Sequence, residues 1–135
     1  MIHFDSWTPE QVATAFTALK AHCDRCLGVV PSCTPETFHI GWSRILNGEI
    51  QAVLFGGYLL LYDVGPAWST RSNLLYELLL VKIAPTGNFA DYVQGLRDLA
   101  ALHSCFAVEC GNGVNRPGLR RMYERHGFIK TNETY

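Results

Sequence analysis

No run of this 135-residue sequence reaches the roughly 18 consecutive apolar residues that a membrane-spanning helix needs, so no membrane span is expected. The opening residues, Met1-Ile2-His3-Phe4-Asp5, lack a basic stretch followed by an apolar one, and secretion is not indicated. Charge is sparse. Asp, Glu, Lys and Arg make up 17% of the residues and the formal net charge is -1, which argues against a general affinity for polyanions. The five cysteines (Cys23, Cys26, Cys33, Cys105, Cys110) are odd in number and do not space like a disulfide framework. A reducing, cytoplasmic location is the expectation. What is present in quantity is apolar: 48% of the residues, with 12% aromatic. A disordered chain lacks that content, and the length suits one domain over residues 1–135.

Along the chain, residues 1 to 5 can open a sheet. Thr8-Pro9-Glu10-Gln11 is a strong helix start, with a Thr cap, Pro at the first helical position and Gln at the capping-box position. Val12, Phe16, Leu19, Cys23 and Cys26 follow at helical spacing, and Gly28 ends the helix. Thr34-Pro35-Glu36 repeats the start signal before Phe38, Trp42, Ile45 and Leu46, although the surrounding residues show no repeat. Two apolar runs, Ile50 to Phe55 and Tyr58 to Asp63, flank Gly56-Gly57, the signature of a tight hairpin. Residues 65–73 form a polar loop carrying Trp68 and Arg71. Leu74 to Ile83 is almost unbrokenly apolar, as a strand covered on both faces should be. Asn88 and Asp91 can start a third helix to about His103, with Phe89, Val93, Leu96, Ala100 and His103 inward. Cys105 to Cys110 reads as a short strand.

The most informative segment runs from Asn115 to Phe128. Asn115 can cap a helix, and Gly127 stands where a left-handed closing residue is needed. Leu119, Met122, Tyr123 and His126 recur at helical spacing, with Arg120, Arg121, Glu124 and Arg125 on the other face. A last strand from Phe128 to about Thr131 would follow. The order is strand, helix, helix, hairpin, strand, helix, strand, helix, strand, an α/β arrangement. Its strand–helix–strand crossover implies a parallel step between the long strand and the Cys105 to Cys110 strand.

A tyrosine at the margin of an apolar helical stripe, followed by the Gly127-Phe128 exit, resembles the GNAT (Gcn5-related N-acetyltransferase) superfamily. The resemblance covers the whole chain in element order and residues 77 to 128 in motif. It implies a GNAT-like fold, with a central mixed sheet flanked by about four helices. It also implies acetyl transfer from acetyl-CoA to a small-molecule or protein amine by direct attack. In that family acetyl-CoA lies between the fourth and fifth strands. Val81 and Ile83 would then expose backbone to the pantetheine arm, and Thr86, Gly87, Asn88 and Phe89 would form the pyrophosphate loop at a helix start. The loop departs from the family pattern: it has one glycine and neither Gln nor Arg. Arg116 and Arg120 would lie near the 3′-phosphate.

By the same resemblance Tyr123 is the general acid for the CoA thiolate, a neutral phenol within reach of sulfur. An ordinary helix aromatic packed on the sheet is the other reading. Asn115 serves the pantetheine or only its own helix. Glu77 and Glu109 are the carboxylates placed to take the amine's proton, Glu77 being preferred. An apolar setting raises a carboxylate's pKa toward neutrality, whereas a strand margin would leave it facing water or an arginine. Trp68 and Arg71 either border an acceptor pocket or, for Trp68, fold back on the core.

The segment His22-Cys23-x-x-Cys26, with Cys33 and His39 beyond, has zinc-like spacing. The apolar stripe of the first helix accounts for both helical cysteines better, so no metal is expected. Five of the eleven basic residues fall in the last twenty positions, where a solvated helix face is a better account than nucleic-acid binding. The alternative to an enzyme is a catalytically inactive GNAT-shaped protein with a structural or protein-binding role. Small GNAT-like proteins of tailed bacteriophages, some virion-associated, resemble this pattern. Its partners would be a virion or host protein, and a homodimer is a further expectation.

Overall fold

The computed structural model describes residues 1–30, 33–111 and 117–130. Five strands form one mixed sheet in the order β1-β2-β3-β4-β5: β1 (Ile2–His3), β2 (Gln51–Phe55), β3 (Tyr58–Pro66), β4 (Asn73–Lys82) and β5 (Ala107–Glu109). The first four run antiparallel to their neighbours, and β5 joins β4 in parallel. Helices α1 (Pro9–Cys26) and α2 (Thr37–Leu46) cover one face of the sheet, while α3 (Phe89–Leu102) and α4 (Pro117–Arg125) cover the other.

Local chemistry explains the boundaries. Thr8 and Gln11 form a reciprocal capping box with Pro9 at the first helical position. Gly56 and Gly57 both take positive φ, 58° and 81°, which is what a two-residue hairpin turn requires. Asn88 caps α3 by accepting from the Ala90 N–H at 2.8 Å. Gly127, at φ 89°, closes α4 with the Phe128 N–H on the Tyr123 carbonyl.

Several expectations need correction. Thr34 does not cap α2: its N–H donates to Thr37 Oγ1 at 2.8 Å, and the helix starts after Glu36, with no side-chain cap. The turn residues reward a local Thr–Thr contact, so the helix begins later. In α1 the buried positions are Ala15, Leu19 and Cys26, and Phe16 instead lies at the edge, its ring edge-on to Phe38 and Trp42 at 4.8 and 5.2 Å. A ring too large for the α1–sheet contact is used between the helices. β5 spans only Ala107–Glu109 of the expected Cys105 to Cys110: the Cys105 N–H closes the turn out of α3 on Ala100 O, while the Phe106 N–H already reaches Asn73 O of β4. Residues 128–130 form no strand. Phe128 packs its ring edge-on to Tyr123 instead. Asn115, Arg116 and Thr131 lie outside the described residues.

The hairpin turn is docked on the segment that leads into α3. Gly57 O accepts from the Ile83 and Ala84 N–H groups at 2.8 and 3.2 Å, and Gly56 O accepts from Asn88 at 3.3 Å. A Cβ on Gly57 would stand 2.7 Å from the Gly87 Cα, backbone against backbone. Gly57→Ala should therefore lower the unfolding free energy by about 2–4 kcal/mol, from left-handed strain and overpacking together. Urea denaturation measures it, and a change below about 0.5 kcal/mol would show that the hairpin can move freely away from residues 84–88.

Candidate active site

β4 and β5 stay together for three residue pairs only: Leu74 with Ala107, Leu75 with Val108 and Tyr76 with Glu109. β4 continues to Lys82 without β5 beside it. The pairing of the two strands therefore ends just before Glu77.

An irregularity at the same place aims Glu77. Tyr62 pairs with Glu77 while Leu61 pairs with Leu79, so Leu78 is an extra residue in β4. Side chains alternate along a strand. Counting back from Leu79 and Val81, which pack with α1 and α2, an unbroken β4 would point Glu77 at that same layer. The bulge moves it to the opposite face, beneath α3 and α4. Bulges commonly re-aim a side chain in this way.

Under those helices Glu77 Oε2 accepts hydrogen bonds from the Tyr92 hydroxyl of α3 and the Tyr123 hydroxyl of α4. The Gly111 N–H and the Cys110 thiol also donate to its carboxylate. Burial raises the Glu77 pKa above the usual carboxylate value, although all four donors oppose the rise. Both phenols are driven far above their ordinary pKa by burial and then by the Glu77 charge. They are neutral donors at physiological pH. Burial, followed by the same carboxylate, also pushes the Cys110 thiol up.

Sequence reasoning named Glu77 and Tyr123, and the fold brings them into contact across 46 residues of chain. Tyr123 is 7% exposed, its ring edge-on to Phe89 at 5.3 Å. Core packing and a polar role are thus combined in one side chain. Glu109 sits exposed on β5, paired with Tyr76, and takes no part in the Glu77–Tyr123 contact. Tyr92 was missed, although it falls at helical spacing between Phe89 and Leu96. Trp68 is 99% exposed, so it does not fold back on the core.

The expected cofactor residues are arranged less openly. Val81 is buried against the α1–α2 layer. The Ile83 N–H is taken by Gly57, and its side chain borders two grooves along α1, of about 370 and 420 Å³. In the loop, the Gly87 N–H donates to Ala84 O at 3.0 Å and the Asn88 N–H to Gly56 O. Ala90 N–H is taken by the Asn88 cap, and Phe89 is buried against Tyr92 and Tyr123. Thr86 is exposed at the loop tip. Three donors that a pyrophosphate would use are thus already engaged. Positive charge is close by, since a Cβ on Gly87 would stand 3.1 Å from the Lys82 Cε.

At the end of α1, Cys26 Sγ lies 3.6 Å from His22 Nε2. Among the described residues no three His, Cys, Asp or Glu side chains are grouped to hold a metal ion, and no helix is long and apolar enough to cross a membrane.

No protein-family model matches the sequence, and no curated protein matches it. Solved structures do. A putative acetyltransferase from Agrobacterium tumefaciens superposes with a TM-score of 0.59 at 13% identity, over 96% of this chain and 94% of that one. The chain has the GNAT fold. An aminoglycoside acetyltransferase from an uncultured soil metagenomic sample gives 0.60 at 15% identity, covering 96% of this chain and 92% of its own. AAC(6')-Iy, solved with the bisubstrate analogue CoA-S-monomethyl-acetylneamine, gives 0.58 at 10% identity over 88% and 89% of the two chains. The GNAT fold accounts for the five-stranded mixed sheet with helices on both faces and for the parallel β4–β5 step.

Proposed function

We propose that this protein is an N-acetyltransferase that moves an acetyl group from acetyl-CoA to an amine. The observation that carries the reading is the Glu77–Tyr123 contact just past the end of the β4–β5 pairing. A buried carboxylate of raised pKa and a neutral phenol form a base and an acid in one hydrogen-bonded pair. The structural neighbours that are an aminoglycoside acetyltransferase and an enzyme solved with a CoA-linked analogue support the same chemistry. The acetyl end of the thioester would meet a base and an acid at Glu77 and Tyr123. The anion end fits less well in the loop 86–89, where Lys82 offers charge but Gly87, Asn88 and Ala90 have no N–H to give.

In its simplest form the amine attacks the thioester carbonyl directly. Glu77 takes the ammonium proton as the new C–N bond forms, and Tyr123 gives its proton to the departing sulfur. Their mutual hydrogen bond then returns the proton from Glu77 to the Tyr123 phenolate, which resets the pair. Tyr92 and the Gly111 N–H hold the carboxylate in place throughout. Acetyl-CoA supplies the activated acyl group.

The test is thiol release from acetyl-CoA in the presence of a panel of primary amines. Amine-dependent release is expected. Tyr123→Phe should lower kcat about 100-fold with KM little changed, because the hydroxyl acts only as sulfur departs. Undiminished turnover in Tyr123→Phe would remove the general-acid assignment. A cofactor-free, protein-binding role has one observation on its side, the engaged N–H groups of the loop.

A further inference from the structure

Two phenols meet one carboxylate oxygen. Tyr92 from α3 and Tyr123 from α4 both donate to Glu77 Oε2, yet their surroundings differ. Tyr92 is 0% exposed, whereas Tyr123 keeps 7%. Rings wall Tyr92 in: Phe55, Tyr58 and Phe89 stand at centroid distances of 5.5, 5.2 and 5.5 Å. A Cβ on Gly95, three residues further along α3, would run into the Phe55 ring, so that wall is pressed against the helix. The Tyr92 hydroxyl is thus enclosed with the carboxylate, and only Tyr123 is placed to give its proton away. The Cys110 thiol and the Gly111 N–H also face Glu77 from beyond β5, both neutral. Tyr62, its strand partner on β3, turns its hydroxyl to His103 Nε2 at 3.0 Å instead, and Glu109 on β5 is exposed.

We infer that Tyr92 is the fixed member of the pair: it keeps its proton through the reaction and holds Glu77 as a carboxylate ready for the amine. The inference rests on the acetyltransferase reading and gives the two phenols separate tasks within it. A single donor that gave its proton to sulfur would release the Glu77 oxygen just as the base becomes protonated. With two donors on Oε2, Tyr123 can lose its proton and regain it while Tyr92 still donates to the same atom. The second donor also sets the strength of the base. Burial disfavours the charged form of Glu77, and a hydroxyl donating to the carboxylate favours it. Without the Tyr92 hydroxyl, Glu77 would hold its proton to higher pH, and less of the enzyme would carry a base. Tyr92 is therefore a positioning residue, acting on the reaction through Glu77.

The experiment has an activity arm and a stability arm. In the first, kcat/KM for amine acetylation from acetyl-CoA is followed against pH for the wild type and Tyr92→Phe, which keeps the ring and removes the hydroxyl. The acid limb reports ionisation of the free enzyme and should move to higher pH. The loss should be about tenfold or more at the acid end and shrink toward the alkaline end, where Glu77 ionises without help. Tyr123→Phe should instead lower kcat at every pH. A Tyr92→Phe loss of one size at every pH, or no loss, would overturn the inference. Incorporating 3-fluorotyrosine in place of Tyr92, a more acidic phenol of nearly the same size, should move the limb the opposite way, and any other result would overturn it as well. The second arm needs no substrate: melting temperatures of wild type, Tyr92→Phe, Glu77→Gln and the double variant across pH. Removing a donor to the charged form raises the folded-state pKa of Glu77 further above 4.5, so stability goes on falling to higher pH. The gap between wild type and Tyr92→Phe should widen as pH rises, and should stay constant with pH in the Glu77→Gln background. A gap that does not widen, or widens equally without the carboxylate, would overturn the hold of Tyr92 on Glu77. Wild-type protein without turnover would sink the acetyltransferase reading alone, and the melting curves would still decide what Tyr92 does to Glu77.

Discussion

Replacing Glu77 with glutamine is expected to lower acetyl transfer roughly 100- to 10,000-fold, the range in which a positioned general base contributes. The amide keeps an oxygen to accept from Tyr92 and Tyr123, so the cluster is altered in basicity more than in shape. The same substitution has a signature in stability. Burial holds the Glu77 pKa above its ordinary value of 4.5, so the folded protein binds this proton more tightly than the unfolded chain does. Its contribution to stability is therefore fully present below about pH 4.5 and is lost as pH rises through the elevated folded-state pKa. Melting curves across that window should show the wild type losing stability relative to Glu77→Gln as pH rises. Activity runs the other way, rising with pH as the carboxylate loses its proton. A wild-type stability that climbs relative to the variant over the same window would mean that the hydrogen-bond donors outweigh burial.

Leu96→Ala should destabilise the fold by about 2–5 kcal/mol, the usual range for emptying a buried leucine site. Leu96 is 0% exposed and lies in the α3 layer with Tyr92, Val93, Leu99 and the sheet residues Val53, Leu60 and Leu75. Tyr92 sits four residues before it on the same helix, its ring stacked on Phe55 at 5.5 Å. A loosened α3 would thus weaken the hold of Tyr92 on Glu77 as well as the core. Denaturant midpoints measure the loss. A cost under 1 kcal/mol would show that the α3 layer collapses into the space or packs less tightly than the buried side chains indicate.

The local signals in the chain were legible wherever one residue type answers one backbone need. Thr8-Pro9-Glu10-Gln11, Gly56-Gly57, Asn88 and Gly127 each place a boundary, because a cap or a positive φ depends on a few residues alone. The pairing of Glu77 with Tyr123 was legible only through likeness to a family; spacing within the chain does not connect two residues so far apart. The bulge at Leu78 left no mark in residues 74–81, where every residue is Leu, Val, Tyr or Glu. Without it, alternation puts Glu77 on the wrong face. Tyr92 went unnamed beside the α3 stripe, since a tyrosine on an inward face is ordinary packing until its hydroxyl has a partner. The short β5 escaped for a related reason: Cys105 suits a strand, and only the turn out of α3, which takes its N–H, removes it from one.

Phenol and carboxylate matter for catalysis only if a thioester reaches them, and the melting temperature with and without acetyl-CoA measures that most directly. Acetyl-CoA at about 100 times its dissociation constant adds roughly 2.7 kcal/mol to a fold that alone binds it, a rise of about 8 °C for a domain of this size. The account predicts a saturable rise with acetyl-CoA. A melting temperature unmoved by saturating acetyl-CoA, in protein that is folded beforehand, would contradict it.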